Sequence, residues 1–192
     1  MARIGMINPV YAKITNETEG SPITYGTGAR CGKAIAASLT INRRDNKLYA
    51  DDNVAETDKG ITDYTIDFEA DAISHDARVD LVGEEKLTDG STEVYSVSED
   101  EGAYVGFGYM RKMKENGAIK YEARWYHKVK FATTTEEDST KGESITWGTA
   151  KLNGTGVGVI IDQTRKLRYY EDAPASTEAE CWAWLKAKAN IA

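Results

Sequence analysis

The sequence predicts a mainly β protein: an antiparallel sandwich or barrel-like sheet, one short flanking helix, a long inter-strand loop and a C-terminal helix. Three observations carry this. Residues 119–131 alternate strictly, with Ile119, Tyr121, Ala123, Trp125, His127, Val129 and Phe131 on one side and Lys120, Glu122, Arg124, Tyr126, Lys128 and Lys130 on the other. That is the two-residue period of a half-buried strand. A second alternation, Val105, Phe107, Tyr109 and Met113, precedes it across Glu115-Asn116-Gly117, a turn signal. A third stretch, 61–72, sets Tyr64, Ile66 and Phe68 against Asp63, Thr65, Asp67, Glu69 and Asp71.

The 103–131 hairpin can be read to its register. A two-residue Asn-Gly turn sets Met113 opposite Lys120, an apolar residue against a polar one. A three-residue loop with a left-handed Gly117 and a bulge pairs Met113 with Ile119, Tyr109 with Ala123 and Phe107 with Trp125, and is the expected form. Lys112, Lys120, Arg124, Lys128 and Lys130 then share an outer face.

The other elements follow in chain order. Residues 4–14 are apolar but broken by Asn8-Pro9, which suits an arm or edge strand. Residues 17–28 are rich in Gly, Ser, Thr and Pro and read as loop. Residues 33–42 alternate, with Ile35, Ala37, Leu39 and Ile41 on one side. Residues 43–60 form a long polar excursion with one apolar patch, Leu48-Tyr49-Ala50. Residues 74–83 have a capping Ser74 and a terminal Gly83, as a short helix does. Residues 86–97 read as a small hairpin around Asp89-Gly90, and 98–102 as an acidic loop. Past a Thr- and Glu-rich linker (132–142), strands are expected at 143–152 and 157–161, divided by a flexible Asn153-Gly154-Thr155-Gly156, and a last short one at 165–171. Ala173-Pro174 breaks the chain before a helix from Thr177 to about Ala189. Thr177 and Glu180 have capping-box spacing there, and Lys186 and Lys188 suit the dipole at its far end. Its apolar residues Cys181, Trp182, Trp184 and Leu185 spread over a wide arc, which predicts cover on two sides. The expected organisation is a β-sandwich domain over 1–172, with an arm at about 1–14 and the loop at 43–60, and a C-terminal helical arm over 173–192.

Composition narrows the chemistry. The chain has 192 residues, 29% of them charged, and a net charge of -7, which disfavours a protein that wraps duplex DNA. The charge is uneven. Residues 104–131 hold seven Lys/Arg against two Asp/Glu, a net of +5, which leaves -12 for the remainder. Two solvated faces explain this, and so does self-association of a basic face with an acidic one. No apolar run approaches about 18 residues, so neither a leader nor a membrane span is expected. Cys31 and Cys181 lie far apart, without the pattern of a disulfide framework.

No enzyme, cofactor or metal is expected. Gly28-Ala29-Arg30-Cys31-Gly32-Lys33 has glycines and a lysine, yet the spacing of a phosphate loop fails: position 27 is Thr and position 34 is Ala. Gly154-Thr155-Gly156-Val157-Gly158 matches a dinucleotide fingerprint only in glycine content. The two histidines have no metal-ligand spacing with the cysteines; His127 reads as a core residue and His75 as a surface one.

Several segments, in order, resemble the major tail protein family of long, non-contractile tailed bacteriophages. They are Ile4-Gly-Met-Ile-Asn-Pro-Val-Tyr-Ala-Lys13, Lys33-Ala-Ile-Ala-Ala-Ser-Leu-Thr-Ile-Asn42 followed by Leu48-Tyr-Ala-Asp-Asp52, the acidic strand with its helix, Tyr104-Val-Gly-Phe-Gly-Tyr109 leading to Tyr126-His-Lys-Val-Lys-Phe131, and Thr140-Lys-Gly-Glu-Ser-Ile145. The resemblance spans residues 4–155; the C-terminal helix lies outside it. It implies a tail-tube subunit, a virion protein made in the bacterial host cytoplasm. In that family a β-sandwich forms hexameric rings, and the rings stack into a tube that conducts DNA. The implied partners are further copies, other tail proteins at the tube ends and passing DNA that is not held. Leu48, Tyr49 and Ala50, together with Trp182 and Trp184, are the expected inter-subunit contacts. Asp63, Asp67, Glu69 and Asp71 are expected to line the lumen. The alternative is a monomeric β-sandwich that binds carbohydrate or protein through exposed Tyr126 and Tyr49.

Overall fold

A computed structural model describes residues 2–97, 101–136 and 148–192, with residues 133–136 described by backbone alone. Eleven strands and two helices are present among them: β1 (Ala2–Asn16), β2 (Thr24–Tyr25), β3 (Ala29–Arg30), β4 (Ala34–Ala50), β5 (Asn53–Ala70), α1 (His75–Val82), β6 (Glu84–Asp89), β7 (Thr92–Val97), β8 (Val105–Glu115), β9 (Ala118–Glu136), β10 (Ala150–Gly156), β11 (Tyr170–Ala175) and α2 (Glu178–Lys188). The main sheet runs β2-β1-β8-β9-β10-β5-β4, with β3 added to β1 and β11 to β9, and β6-β7 stand apart as a two-stranded ribbon. The strand pairs are antiparallel. No strand pairing joins β4 to β1, so the sandwich is not a closed barrel.

The sheet folds over on itself around one core. Tyr64, Ile66 and Phe68 of β5 meet Val105, Phe107 and Tyr109 of β8 and Tyr126, Val129 and Phe131 of β9, with Ala77 and Leu81 of α1 at the side. The Phe68 and Phe107 rings stand edge to face at 5.1 Å, as do Phe107 and Phe131. A second cluster occupies the opposite face of the same strands. Val10 and Ala12 of β1, Met110 of β8, and Ala123 and Trp125 of β9 pack under Cys181, Leu185 and Ala189 of the C-terminal helical segment. The β1-β8-β9 region is therefore covered on both faces.

Burial on two faces corrects the hairpin register. Met113 pairs with Lys120, Tyr109 with Arg124 and Phe107 with Tyr126. The turn is the simple two-residue one, with Asn116 at φ 49° and Gly117 at φ 82°. Both central residues are left-handed, which matches the twist of the flanking strands. The expectation assumed one apolar face, but β8 buries alternate residues against different layers, so apolar side chains of both parities are required. A register shift between Val105 and Phe107 then places Tyr126 and Val129, of opposite parity, in the same core. Trp125 does not sit beside Phe107. It lies under α2 opposite Gly108, and a Cβ at Gly106 or Gly108 would fall 2.2 or 2.7 Å from its ring.

Other boundaries moved as well. Residues 43–60 are not a loop: β4 and β5 form one continuous hairpin that turns at Asp51 and Asp52, both left-handed at φ 50° and 60°. The 4–14 segment is part of β1, paired to β8. Asn153–Gly156 is not a flexible divider but lies inside β10, where a Cβ at Gly156 would meet the Tyr64 ring at 2.0 Å. Between 157 and 169 the only strand-like contact among the described residues is the Val159–Arg168 bridge. The last strand is β11, later than the expected 165–171; it contains Pro174 and straddles the 172/173 junction. The 143–147 part of an expected strand falls outside the described residues.

Other elements match their sequence signals. Ser74 caps α1 by accepting from Ala77 N at 3.3 Å, and Gly83 closes it at φ 79°. The 86–97 hairpin is β6-β7. At α2 the reciprocal bonds of Thr177 and Glu180 are both 3.2 Å.

The glycine packing has a measurable consequence. Gly106→Ala and Gly156→Ala are each expected to lower stability by about 1–3 kcal/mol through overpacking. Gly5→Ala, whose Cβ would meet nothing nearer than Lys112 Cβ at 3.9 Å, should change it little. Thermal melts of the three variants check this.

Candidate assembly surfaces

The β4-β5 hairpin leaves the sandwich beyond Ile41 and Tyr64 and is solvent-exposed on both faces from Arg43 to Lys59. Its strands are held by the ladder and by exposed ion pairs, Arg44–Asp58 at 3.1 Å and Lys59–Asp45 at 3.9 Å. Leu48 and Tyr49 at its tip are 61% and 64% exposed. Val54 pairs directly with Tyr49 and is 48% exposed, so it joins the Leu48-Tyr49-Ala50 patch. The sequence reading missed Val54 because the Asp51-Asp52 turn, which sets it opposite Tyr49, was not recognised.

The outward face of β5 carries Asp63, Asp67 and Glu69, and no helix packs on it. Its neighbours are Ser38, Thr40 and Asn42 of β4 and Lys151, Asn153 and Thr155 of β10. Each carboxylate accepts a hydrogen bond from a neutral side chain: Asp63 from the Asn42 amide, Asp67 from Asn153 Nδ2 at 2.6 Å, and Glu69 from Thr149 Oγ1 at 2.6 Å. Asp71 departs from the expectation. β5 ends at Ala70, and Asp71 Oδ1 accepts the backbone N–H groups of Lys33 (2.8 Å) and Ala72 (2.7 Å). Those bonds hold its carboxyl below the usual range and make it a turn-fixing residue rather than part of the strand's acidic row.

The coherent basic face does not exist as expected. Lys112 faces Glu178 (3.9 Å), Lys120 pairs with Glu115 (2.6 Å), Lys128 with Glu17 (2.5 Å) and Lys130 with Glu101. Arg124 is buried. Its Nε and Nη2 donate to the two Asp172 oxygens at 2.7 and 2.6 Å, and its guanidinium lies 4.1 Å from the Tyr170 ring centre. Arg111, also buried, donates to Glu122 (2.8 Å) and Asp172 (3.1 Å). Apart from Glu115 and Glu122, the acids come from distant segments, which a reading of local composition does not bring together.

α2 rests on its own sheet through Cys181 and Leu185, with Trp182 and Trp184 half-buried at its flanks. Each indole has a cation over it, Arg30 at 4.9 Å from Trp182 and Lys188 at 5.2 Å from Trp184. Cys31 and Cys181 are unpaired and buried in different clusters. Burial pushes the Cys31 thiol up to about 12 and that of Cys181 up to about 11. Tyr126 is fully buried, so it cannot join Tyr49 in an exposed aromatic platform.

A cavity of about 380 Å³ lies between the end of α2, the 22–25 segment and β9, with Tyr25, Trp125 and His127 in its lining. The Tyr25 and Trp125 rings meet edge to face at 5.2 Å, and Tyr25 OH donates to His127 O at 2.8 Å. This cavity has no sequence signal, since its walls come from four separated segments.

Among the described residues no group of three or more His, Cys, Asp or Glu could hold a metal, and no helix is long and apolar enough to cross a membrane. No protein-family model matches the chain, and no curated protein matches it.

His127 provides a pH test. Burial lowers its pKa from the ordinary 6.5; Glu171 opposes the shift, while Lys188 and Arg168 add to it. As pH falls, the unfolded chain takes up the proton first. The stability contributed by neutral His127 is therefore full above about pH 6.5 and is lost progressively below it. His127→Gln is expected to flatten the fall in melting temperature between about pH 6.5 and pH 5.

Proposed function

We propose that this chain is a structural subunit that assembles into stacked rings, the tail tube of a long-tailed, non-contractile phage, and conducts DNA without binding it. The carrying observation is the long β4-β5 hairpin with an exposed apolar tip. A hairpin exposed on both faces gains little from its own chain, and a tip built of Leu48, Tyr49 and Val54 is suited to a partner. The sheet edges support the same reading. β4, 17 residues long, pairs only with β5 among the described residues, and the Ala2–Ile7 part of β1 pairs only with β8. These edges end the strand order at β1 and β4, which approach each other across a shared cavity. Pairing of one copy's β4 edge with another copy's β1 edge would be a head-to-tail contact, which closes into rings when the rotation allows. The ring size of six comes from the family resemblance. So do the virion location, assembly in the host cytoplasm and the tail proteins at the tube ends.

The lumen is assigned to the β5 face. A DNA conduit must not hold phosphates, because each Lys or Arg contact adds salt-dependent affinity. Asp63, Asp67 and Glu69 lie among amides and hydroxyls, with Lys151 the one cation set beside them, opposite Glu69. The face is therefore net acidic and repels the duplex over about 8–10 Å at physiological salt. Asp71, tied into a turn, is left out of that wall. The binding-module alternative is weakened by the burial of Tyr126.

Two experiments test the proposal. Leu48→Ala/Tyr49→Ala should leave the monomer's melting temperature unchanged and raise the concentration needed for tube formation at least tenfold, about 1.4 kcal/mol. Negative-stain microscopy and size exclusion read this, and normal tubes from the variant would remove the tip from the interface. In assembled tubes, Asp67→Cys should resist bulky thiol reagents added outside yet react with small ones; free labelling from outside would place that face elsewhere.

A further inference from the structure

We infer that the cavity beside α2 is the socket that receives Tyr49 from the hairpin of a second copy. This rests on the tube-subunit reading and goes beyond it by naming the acceptor. At about 380 Å³ the cavity falls in the range of ligand-sized sites, with room for a tyrosine and part of Val54, which pairs with Tyr49 and shares its face of the hairpin. Its floor is Tyr25, Trp125 and His127, and Ile23, Ile161 and Lys188 also line it.

The socket is built before anything enters it. The edge-to-face contact and the Tyr25 hydroxyl bond fix the floor, so docking has little ordering to do. Its chemistry matches a phenol: aromatic and aliphatic walls for the ring, and a neutral imidazole and Asn190 within the lining for the hydroxyl. Charge also matches. Residues 47–56 carry Asp51, Asp52 and Glu56 against a single Lys47, while the last turn of α2 carries Lys186 and Lys188. Lys188 lines the cavity and is shared with Glu171 at 2.5 Å; Lys186, on the same last turn but outside the lining, adds a second positive charge toward Asp51 and Asp52. Another cavity, about 300 Å³ between β1 and β4, includes Arg3 and Arg111 in its lining. It suits a tyrosine less well.

The test places the photo-cross-linker benzoylphenylalanine at position 49, an aromatic replacing an aromatic, and identifies cross-linked peptides from illuminated assemblies by mass spectrometry. Links from position 49 of one chain to residues 22–25 or 187–190 of another are expected. Well-formed tubes with links only to other segments would overturn the socket and leave the tube reading standing. A wild-type chain that stays monomeric at every concentration, with no interchain links, would overturn both. In parallel, Ala187→Trp, on the exposed side of α2, fills the mouth of the cavity. It should leave the monomer's melting temperature unchanged and raise the concentration needed for assembly at least tenfold. Normal assembly by that variant would also overturn the socket.

Discussion

The structure depends on burying both faces of β8 and β9. Phe107, Tyr126 and Val129 fill the sandwich, while Met110, Ala123 and Trp125 face the other way and require a second layer. That layer is α2, and without it the Trp125 ring and the apolar surface around it would be exposed to water, at a cost of about 1.5–3 kcal/mol for each large side chain. Alternation lets one strand serve two cores, and the register shift in the β8-β9 pairing brings Val129 and Phe131 to the same layer as Tyr126 although their parity is opposite.

The position of α2 is set in turn by β11, which pairs with β9 immediately before it. Asp172 on β11 holds Arg124 in a bidentate contact and also reaches Arg111. A buried ion pair of this kind is weak evidence for net stability, because desolvation offsets much of the attraction. Its geometric demand is strict, however. A slip of one residue would turn Asp172 to the other face of the sheet and leave two buried guanidinium groups without it. The network therefore sets the register of β11, and through it the docking of α2 and the shape of the cavity beside it.

The apolar tip of the hairpin, the outer edge of β4 and the edge of β1 near the N-terminus are left without partners among the described residues of the chain. The interior charges, by contrast, are paired within the chain. This division suits a subunit that folds first and associates afterwards through edges and a projecting arm. Exposed edge strands otherwise invite uncontrolled pairing, and a geometry that closes on itself is a physical means of limiting it.

The sequence by itself determined the local elements. Ser74 and Gly83 bound α1, Thr177 and Glu180 start α2, and the triplet Tyr64, Ile66, Phe68 identifies the inward face of β5. These signals act within a few residues, through caps, turns and periodicity, so they can be read one segment at a time. The acidic row at Asp63, Asp67 and Glu69 was legible for the same reason. Only the tertiary structure decided which layer each apolar parity meets, that residues 43–60 extend the ladder rather than loop, and that Gly154 and Gly156 lie in a strand against Phe131 and Tyr64. It alone placed Asp172 on Arg124 and Glu17 on Lys128, which dissolved the apparent basic face. Apart from the 43–60 hairpin, whose partners lie within 18 positions of each other, those outcomes depend on contacts between residues tens to more than a hundred positions apart, and periodicity along one strand carries no information about what lies across from it.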